Sequence, residues 1–532
     1  LSSQGNPVRW PEGRLKLMVS RTVHLPAGLE AGVDRRETAE EVHAAVWAAV
    51  RAWTQPGQAA VQIELELTDQ QEIGGEVNLV TFTDAKPFES GQCDRTRYLA
   101  CTLLSHTPDG TAVSVNIAFN PFKRHSSIGI EGTHDIGLVM MHEIGHALGL
   151  DHSPILDSVM NPKVEQEPVA GQPADFPFRL LASDDIRTLA MLYPAAESTV
   201  ERAVIEGFVR AATDPIPGAH VFAINSAGNP VHGAVTGADG SYRLSLAPGE
   251  YRVVAEPLDG PVFAANLQSL QGVQAKPFAT TFWTVSGGNA SHGDGVTVGD
   301  RQVRSGIDLS IPEGAAGPEG ATANIETIGL IQNGAYWGFS RVAAARNGTH
   351  TLGITRSAPH TAAALRVPQA PIEIDGPATA PSNVPQLLRQ RIKVGPQVAC
   401  GTYVVQYVPA EGSGAVLPGA LRIVANPRIE ATVFEGTALR PGQGFLIRGN
   451  DLACTNALGE PMFDGAPMPA QLGGVSVRIG DRWARLIAVS PAEIAAEVPG
   501  GLSGSTAELV VITGTGMQSR PVTVRLAEPA VQ

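Results

Sequence analysis

The stretch "HEIGHALGLDH", His142 to His152, constrains the fold of this chain more than any other. On an α-helix over Asp135–Leu148, His142 and His146 stand four residues apart and project from one face. Gly149 can take a positive φ and end the helix abruptly. The chain then turns back and brings His152 to the same point. Three neutral imidazoles leave a fourth position for water, which is the arrangement of a catalytic rather than a structural zinc. Glu143 points to the neighbouring side, where it can take a proton from that water without being a ligand, while zinc lowers the water's pKa toward neutrality. Two histidines four apart are common on helix surfaces and in satisfied cores. The pattern H-E-x-x-H-x-x-G-x-x-H, however, fixes five identities, and a chance match in such a chain is on the order of one in ten thousand. Ile144, Ala147, Leu148 and Leu150, between the ligands, form the side that faces the core.

A chain of 532 residues is too long for a single core, so several domains are expected. The N-terminal part mixes helix and strand signals. "RLKLMVS" reads as a first strand, and Arg36 to Trp53 as an amphipathic helix with Val42, Val46, Ala49, Val50 and Trp53 at helical spacing. "VQIELELT" and "TAVSVNIAFN" alternate as half-buried strands. "SDDIRTLAMLY" reads as a last helix that Ser183 can cap and Pro194 stops. After about Ser198 helical periodicity gives way to short strands and Gly/Pro turns, the texture of β-sandwiches. The expected fold class is multidomain: an N-terminal α+β domain with a twisted mixed sheet and the histidine-bearing helix, then all-β sandwich domains. The expected boundaries are 1–197, 198–311, a linker at 312–323, 324–426 and 427–532.

A formal net charge of −14 argues against nucleic-acid or anionic-membrane partners. No apolar run is long enough to cross a bilayer, so no transmembrane segment is expected. The opening "LSSQGNPVRWPEG" is polar and does not read as a signal peptide; the chain is then either cytosolic or numbered after a removed leader. The four cysteines form no CxxC pair. Pairs Cys93–Cys101 and Cys400–Cys454 would suit an exported protein, against an alternative of four reduced thiols.

His142, Glu143, His146, Gly149 and His152, followed by Met160, resemble the metzincin metalloproteases. Ser153, "SVMNP" around Met160 and "SDDIRTLAMLY" resemble the matrixin branch, over roughly Trp10 to Pro194. The resemblance implies one catalytic zinc on His142, His146 and His152, with Glu143 as the catalytic base and Met160 in a tight turn beneath the imidazoles. It implies that "VSVNIAFN", Val113 to Asn120, is an edge strand pairing with an extended peptide. Leu138, Val139 and Val164 would line the pocket for the residue after the cut, favouring bulky apolar residues there. The family's aromatic residues after the turn methionine are replaced by Asn161 and Val164. "NPFKRHSSIGIEGTHD" lacks the spacing of the family's second zinc loop, so His106, His125 and His134 are expected in exposed or capping roles, with metal binding as the alternative. The family often binds calcium, for which no carboxylate loop can be placed. Asp184 and Asp185 are expected to cap the last helix and tie it to the methionine turn.

"PIPGAHVFAI" and "TGADGSYRLSLAPGEYRVVA" resemble the carboxypeptidase regulatory-like domain, a prealbumin-like sandwich. "GGVSVRIGDRWARLIAVSPAEIAAEVP" resembles immunoglobulin-like TIG modules of secreted or surface bacterial proteins. Together these resemblances imply a secreted or cell-surface bacterial zinc metalloendopeptidase acting on protein or peptide substrates. Its C-terminal domains would be spacers or would attach it to a cell surface or matrix. The alternative is a surface adhesin whose protease domain is inactive or secondary, against which an intact Glu143 argues.

Overall fold

The computed structural model describes residues 6–30, 33–36, 38–55, 59–74, 77–127, 133–162, 179–195, 203–270, 273, 277–287, 293–312, 323–332, 334–360, 363–410, 414–460, 468–480, 482–513 and 517–527. The candidate pocket residue Val164 and nearly all of the expected linker lie outside them.

The N-terminal domain is built on a five-stranded sheet. Its strands, from one edge to the other, are Gln62–Thr68, Arg14–Val23, Leu79–Phe82, Ala112–Phe119 and Ala100–His106. The first four run parallel to their neighbours and the last runs antiparallel. The strand containing "VSVNIAF" is therefore internal, and the antiparallel edge is Ala100–His106. This corrects the edge assignment made from sequence. Val115, Ile117 and Phe119 are completely buried, as a strand with neighbours on both sides requires.

Helix Ala39–Trp53 starts at a Thr38–Glu41 capping box. Its apolar face packs against the histidine-bearing helix, Ile136–Ala147, with Trp53 Nε1 donating to the Met141 carbonyl at 2.8 Å. Asp135 caps the latter helix by accepting from Leu138 N at 2.7 Å, and Arg179 holds that carboxylate in a two-pronged ion pair. The last helix, Ser183–Leu192, is not capped by Ser183. Asp185 reaches back instead and accepts from Ala182 N at 2.7 Å.

Beyond residue 203 the described elements are strands, apart from two short 3-10 turns at Ala264–Asn266 and Gln268–Leu270. Three pairs of sheets follow in chain order, each enclosing its own apolar cluster. Cys93 is bonded to Cys101, tying the loop before the edge strand to that strand. Cys400 is bonded to Cys454, joining the second pair of sheets to the third. Among the described residues no helix is long and apolar enough to cross a membrane.

Candidate metal centre

His142 and His146 lie one turn apart on the helix Ile136–Ala147. Gly149 (φ +93°) breaks it, and the backbone returns with Leu150 N donating to the Gly145 carbonyl at 3.0 Å. That return carries His152 to the other two. The Nε2 atoms of His142 and His146 are 3.0 Å apart, and those of His146 and His152 are 3.2 Å apart. Among the described residues the three histidines form a group whose ligand atoms all lie within 4.8 Å of one another.

The tautomers follow from the partners. His142 Nδ1 meets the Val159 carbonyl at 2.7 Å, His146 Nδ1 the Leu150 carbonyl at 3.0 Å, and His152 Nδ1 the Asn266 carbonyl at 2.5 Å. A carbonyl can only accept, so each Nδ1 carries the proton and each Nε2 keeps a lone pair. Three converging lone pairs, two of them at hydrogen-bonding distance from that of His146 with no proton between them, repel unless a cation sits among them. The donor set therefore fits a zinc ion, with backbone carbonyls fixing all three rings from behind. Burial lowers the proton affinity of the His142 and His146 rings, His146 to about 4, and the neighbouring imidazoles add to the effect. Both rings are thus neutral, as ligands must be.

Glu143 is buried at 6% exposure. Burial raises its pKa to about 7, and the Thr102 hydroxyl opposes this by donating to Oε2 at 2.5 Å. Thr102 also lies 3.1 Å from the Glu143 carbonyl oxygen. It stands on the edge strand Ala100–His106, so one side chain links the strand to the carboxylate. Sequence reading missed Thr102, since a threonine in a strand is unremarked without its partner. Replacing it, Thr102→Val, should lower kcat by about 10-fold or more, the worth of a hydrogen bond to a charged group, and leave zinc affinity unchanged. Steady-state kinetics beside a zinc titration check this; an unaltered kcat would remove Thr102 from the site.

Met160 packs beneath the helix at 2% exposure. It lies so close that a Cβ on Gly145 would come within 2.2 Å of its sulfur. The methionine turn is held by Asp185, which accepts from Val159 N at 2.9 Å and Ser158 Oγ at 2.5 Å. Asp184 accepts from Ser153 Oγ at 2.6 Å and from Gly233 N at 2.8 Å. Val139 is buried in the domain core and Leu138 packs partly buried against it. His125 and His134 are buried rather than exposed, a correction to the sequence expectation. A short parallel ladder pairs the two residues, and their ring centroids lie 6.2 Å apart. His106 is exposed and bonds the Thr107 carbonyl.

Comparison with known proteins agrees with this construction. The matrixin family matches residues 33–194, and the carboxypeptidase regulatory-like domain matches residues 204–265. A search of curated proteins finds no match. Among solved structures, the chain is similar to SGBP-B of the Bacteroides ovatus mixed-linkage glucan utilization locus. Identity is 12%, over 59% of this chain and 60% of that one, at a TM-score of 0.17. It is also similar to the Yersinia pseudotuberculosis adhesin InvE, at 13% identity over 35% of this chain and 56% of that one, with a TM-score of 0.14. The chain thus spans less than two-thirds of either structure, and likeness at these scores bears on neither fold nor function. The residue pattern, the converged imidazoles and the family match together identify the N-terminal domain as a matrixin, a zinc metalloendopeptidase domain, followed by a carboxypeptidase regulatory-like domain and further β-domains.

Proposed function

We propose that this chain is an exported endopeptidase that hydrolyses peptide bonds within proteins, with Glu143 as its proton-transferring group. The observation that carries the reading is the convergence of three Nε2 lone pairs beside a buried carboxylate on the helix that carries two of them. His142, His146 and His152 would hold zinc, which when bound supplies Lewis-acid activation of water and of the scissile carbonyl. Glu143 takes the proton of the attacking water and delivers it to the leaving amine as the C–N bond breaks. Thr102 holds the carboxylate in place for both transfers. The open side of Ala100–His106 offers main-chain groups to an extended substrate, which would lie there as an added strand. Leu138, Val139 and Val164 would border the pocket after the cut. The two disulfides support an oxidising, extracellular setting. Attachment to a cell surface or matrix through the last domains belongs to the same reading.

The test is digestion of an unfolded protein by the whole chain with zinc and calcium present, the cut sites being read by mass spectrometry. Cuts before bulky apolar residues, abolished by a chelator and restored by zinc, are the expected result. A folded, zinc-loaded chain that cuts nothing would favour the adhesin reading.

A further inference from the structure

The loop between the third histidine and Met160 rests on the β-domains as well as on its own domain. Ile155 is buried in a cluster with Phe222, Ile224, Val254 and Phe282 of the first β-domain and Val404 and Val416 of the second. Leu156 N donates to the Pro418 carbonyl at 2.8 Å, and Asp157 accepts from Thr402 Oγ1 at 2.6 Å. Gly419 presses so close that a Cβ there would lie 2.1 Å from Asp157 Oδ1.

At the metal side the dependence is sharper. The Asn266 carbonyl that fixes the His152 tautomer belongs to the first β-domain, in the turn that precedes Gln268–Leu270. Asp151, beside His152, accepts from Gln268 N at 3.1 Å and Ser269 N at 2.7 Å. Those two N–H groups open a short helical turn and have no helical acceptor, so the carboxylate caps them. Leu267 and Leu270 anchor the same turn in the apolar core of the second β-domain.

We propose that the turn Ala264–Leu270 is a working part of the metal centre: docked through Asp151, it positions His152 by its Asn266 carbonyl. The β-domains then act on zinc affinity rather than as spacers. Asp151 is a positioning residue: its carboxylate accepts from Gln268 N, Ser269 N and, at 2.7 Å, from His152 N. The inference rests on the zinc-site reading above.

The test uses the full chain and reads zinc affinity by chelator competition, with the visible spectrum of the cobalt-substituted protein as a second readout. Gln268→Pro deletes one of the capped N–H groups from a distant domain. Proline suits the first position of a helical turn, and Leu267 before it is already extended (φ −105°, ψ 126°). Asp151→Ala deletes the acceptor, and Asp151→Asn retains one oxygen for it. Asp151→Ala should weaken zinc binding about 10- to 100-fold, the usual effect of losing an outer partner of a ligand. Gln268→Pro should weaken it in the same direction and Asp151→Asn should restore part of it. The Asp151→Ala/Gln268→Pro double variant should lose less than the product of the single effects. Additive effects would mean that Asp151 acts on His152 through its own bond to His152 N, and would overturn the proposal. Unchanged affinity in variants with lowered thermal stability would make the contact merely structural and would overturn it as well. A parent chain that takes up no zinc overturns the zinc reading itself.

Discussion

Glu143→Ala should take up zinc as the parent does and lose about 10²–10⁴-fold in kcat/KM on a peptide substrate. The separation of the two readouts follows from geometry. Glu143 contributes no nitrogen to the converged set, and the three rings are oriented by the carbonyls of Val159, Leu150 and Asn266, none of which needs the carboxylate. Removing it also frees the Thr102 hydroxyl, which is solvated at little cost in a partly buried position. His146→Ala is the contrast. His146 Nε2 faces both other Nε2 atoms, so its loss should abolish zinc binding and hydrolysis together. Equilibrium dialysis with zinc and a peptide assay on the same preparations check both. A His146→Ala chain that kept full metal would strike that residue from the ligand set.

Gly149→Ala should destabilise the N-terminal domain by about 2–4 kcal/mol, combining the left-handed backbone cost with overpacking. At φ +93° an alanine is strained whatever the space. Its Cβ would also lie 2.1 Å from the Val8 carbonyl oxygen, a backbone atom that cannot rotate away. The loss extends to function because Leu150, the next residue, supplies the carbonyl behind His146, and His152 follows two residues later. Thermal unfolding and zinc affinity should fall together; a variant within about 0.5 kcal/mol of the parent, the range of ordinary surface substitutions, would contradict the geometry. Gly145 is a milder case, since there the obstructing atom is the sulfur of Met160, a flexible side chain that can yield.

The convergence of the three histidines was legible because its determinants are local and chemically distinctive. A helix, a positive-φ glycine and three imidazoles within eleven residues leave few other uses for that spacing. What surrounds the site was not legible, because much of it is backbone. The Asn266 carbonyl and the Gly233 N–H carry no side-chain signature, and they lie 114 and 49 residues from their partners. The edge strand was misplaced because "TAVSVNIAFN" alternates, which does not distinguish a rim strand from one with neighbours on both sides. "ACTLLSH", the true rim, does not alternate: its burial fades from Ala100 to exposed positions at Ser105 and His106, so period-2 reading passes it by. Ser183 looked like a cap by residue type, yet Asp185 takes that role because its carboxylate serves the helix start and the methionine turn at once.

The docking of residues 151–158 also sets an order in time. His142 and His146 need only a helix that their own neighbours can form. His152 and Met160 flank a loop whose partners, Asn266, Thr402 and Pro418, emerge from the ribosome later, Thr402 245 residues after Asp157. At roughly 5–20 residues per second that interval is roughly ten seconds to a minute. Throughout it the helix can exist while the loop waits for its seat, so the site is completed only once Pro418 has been made.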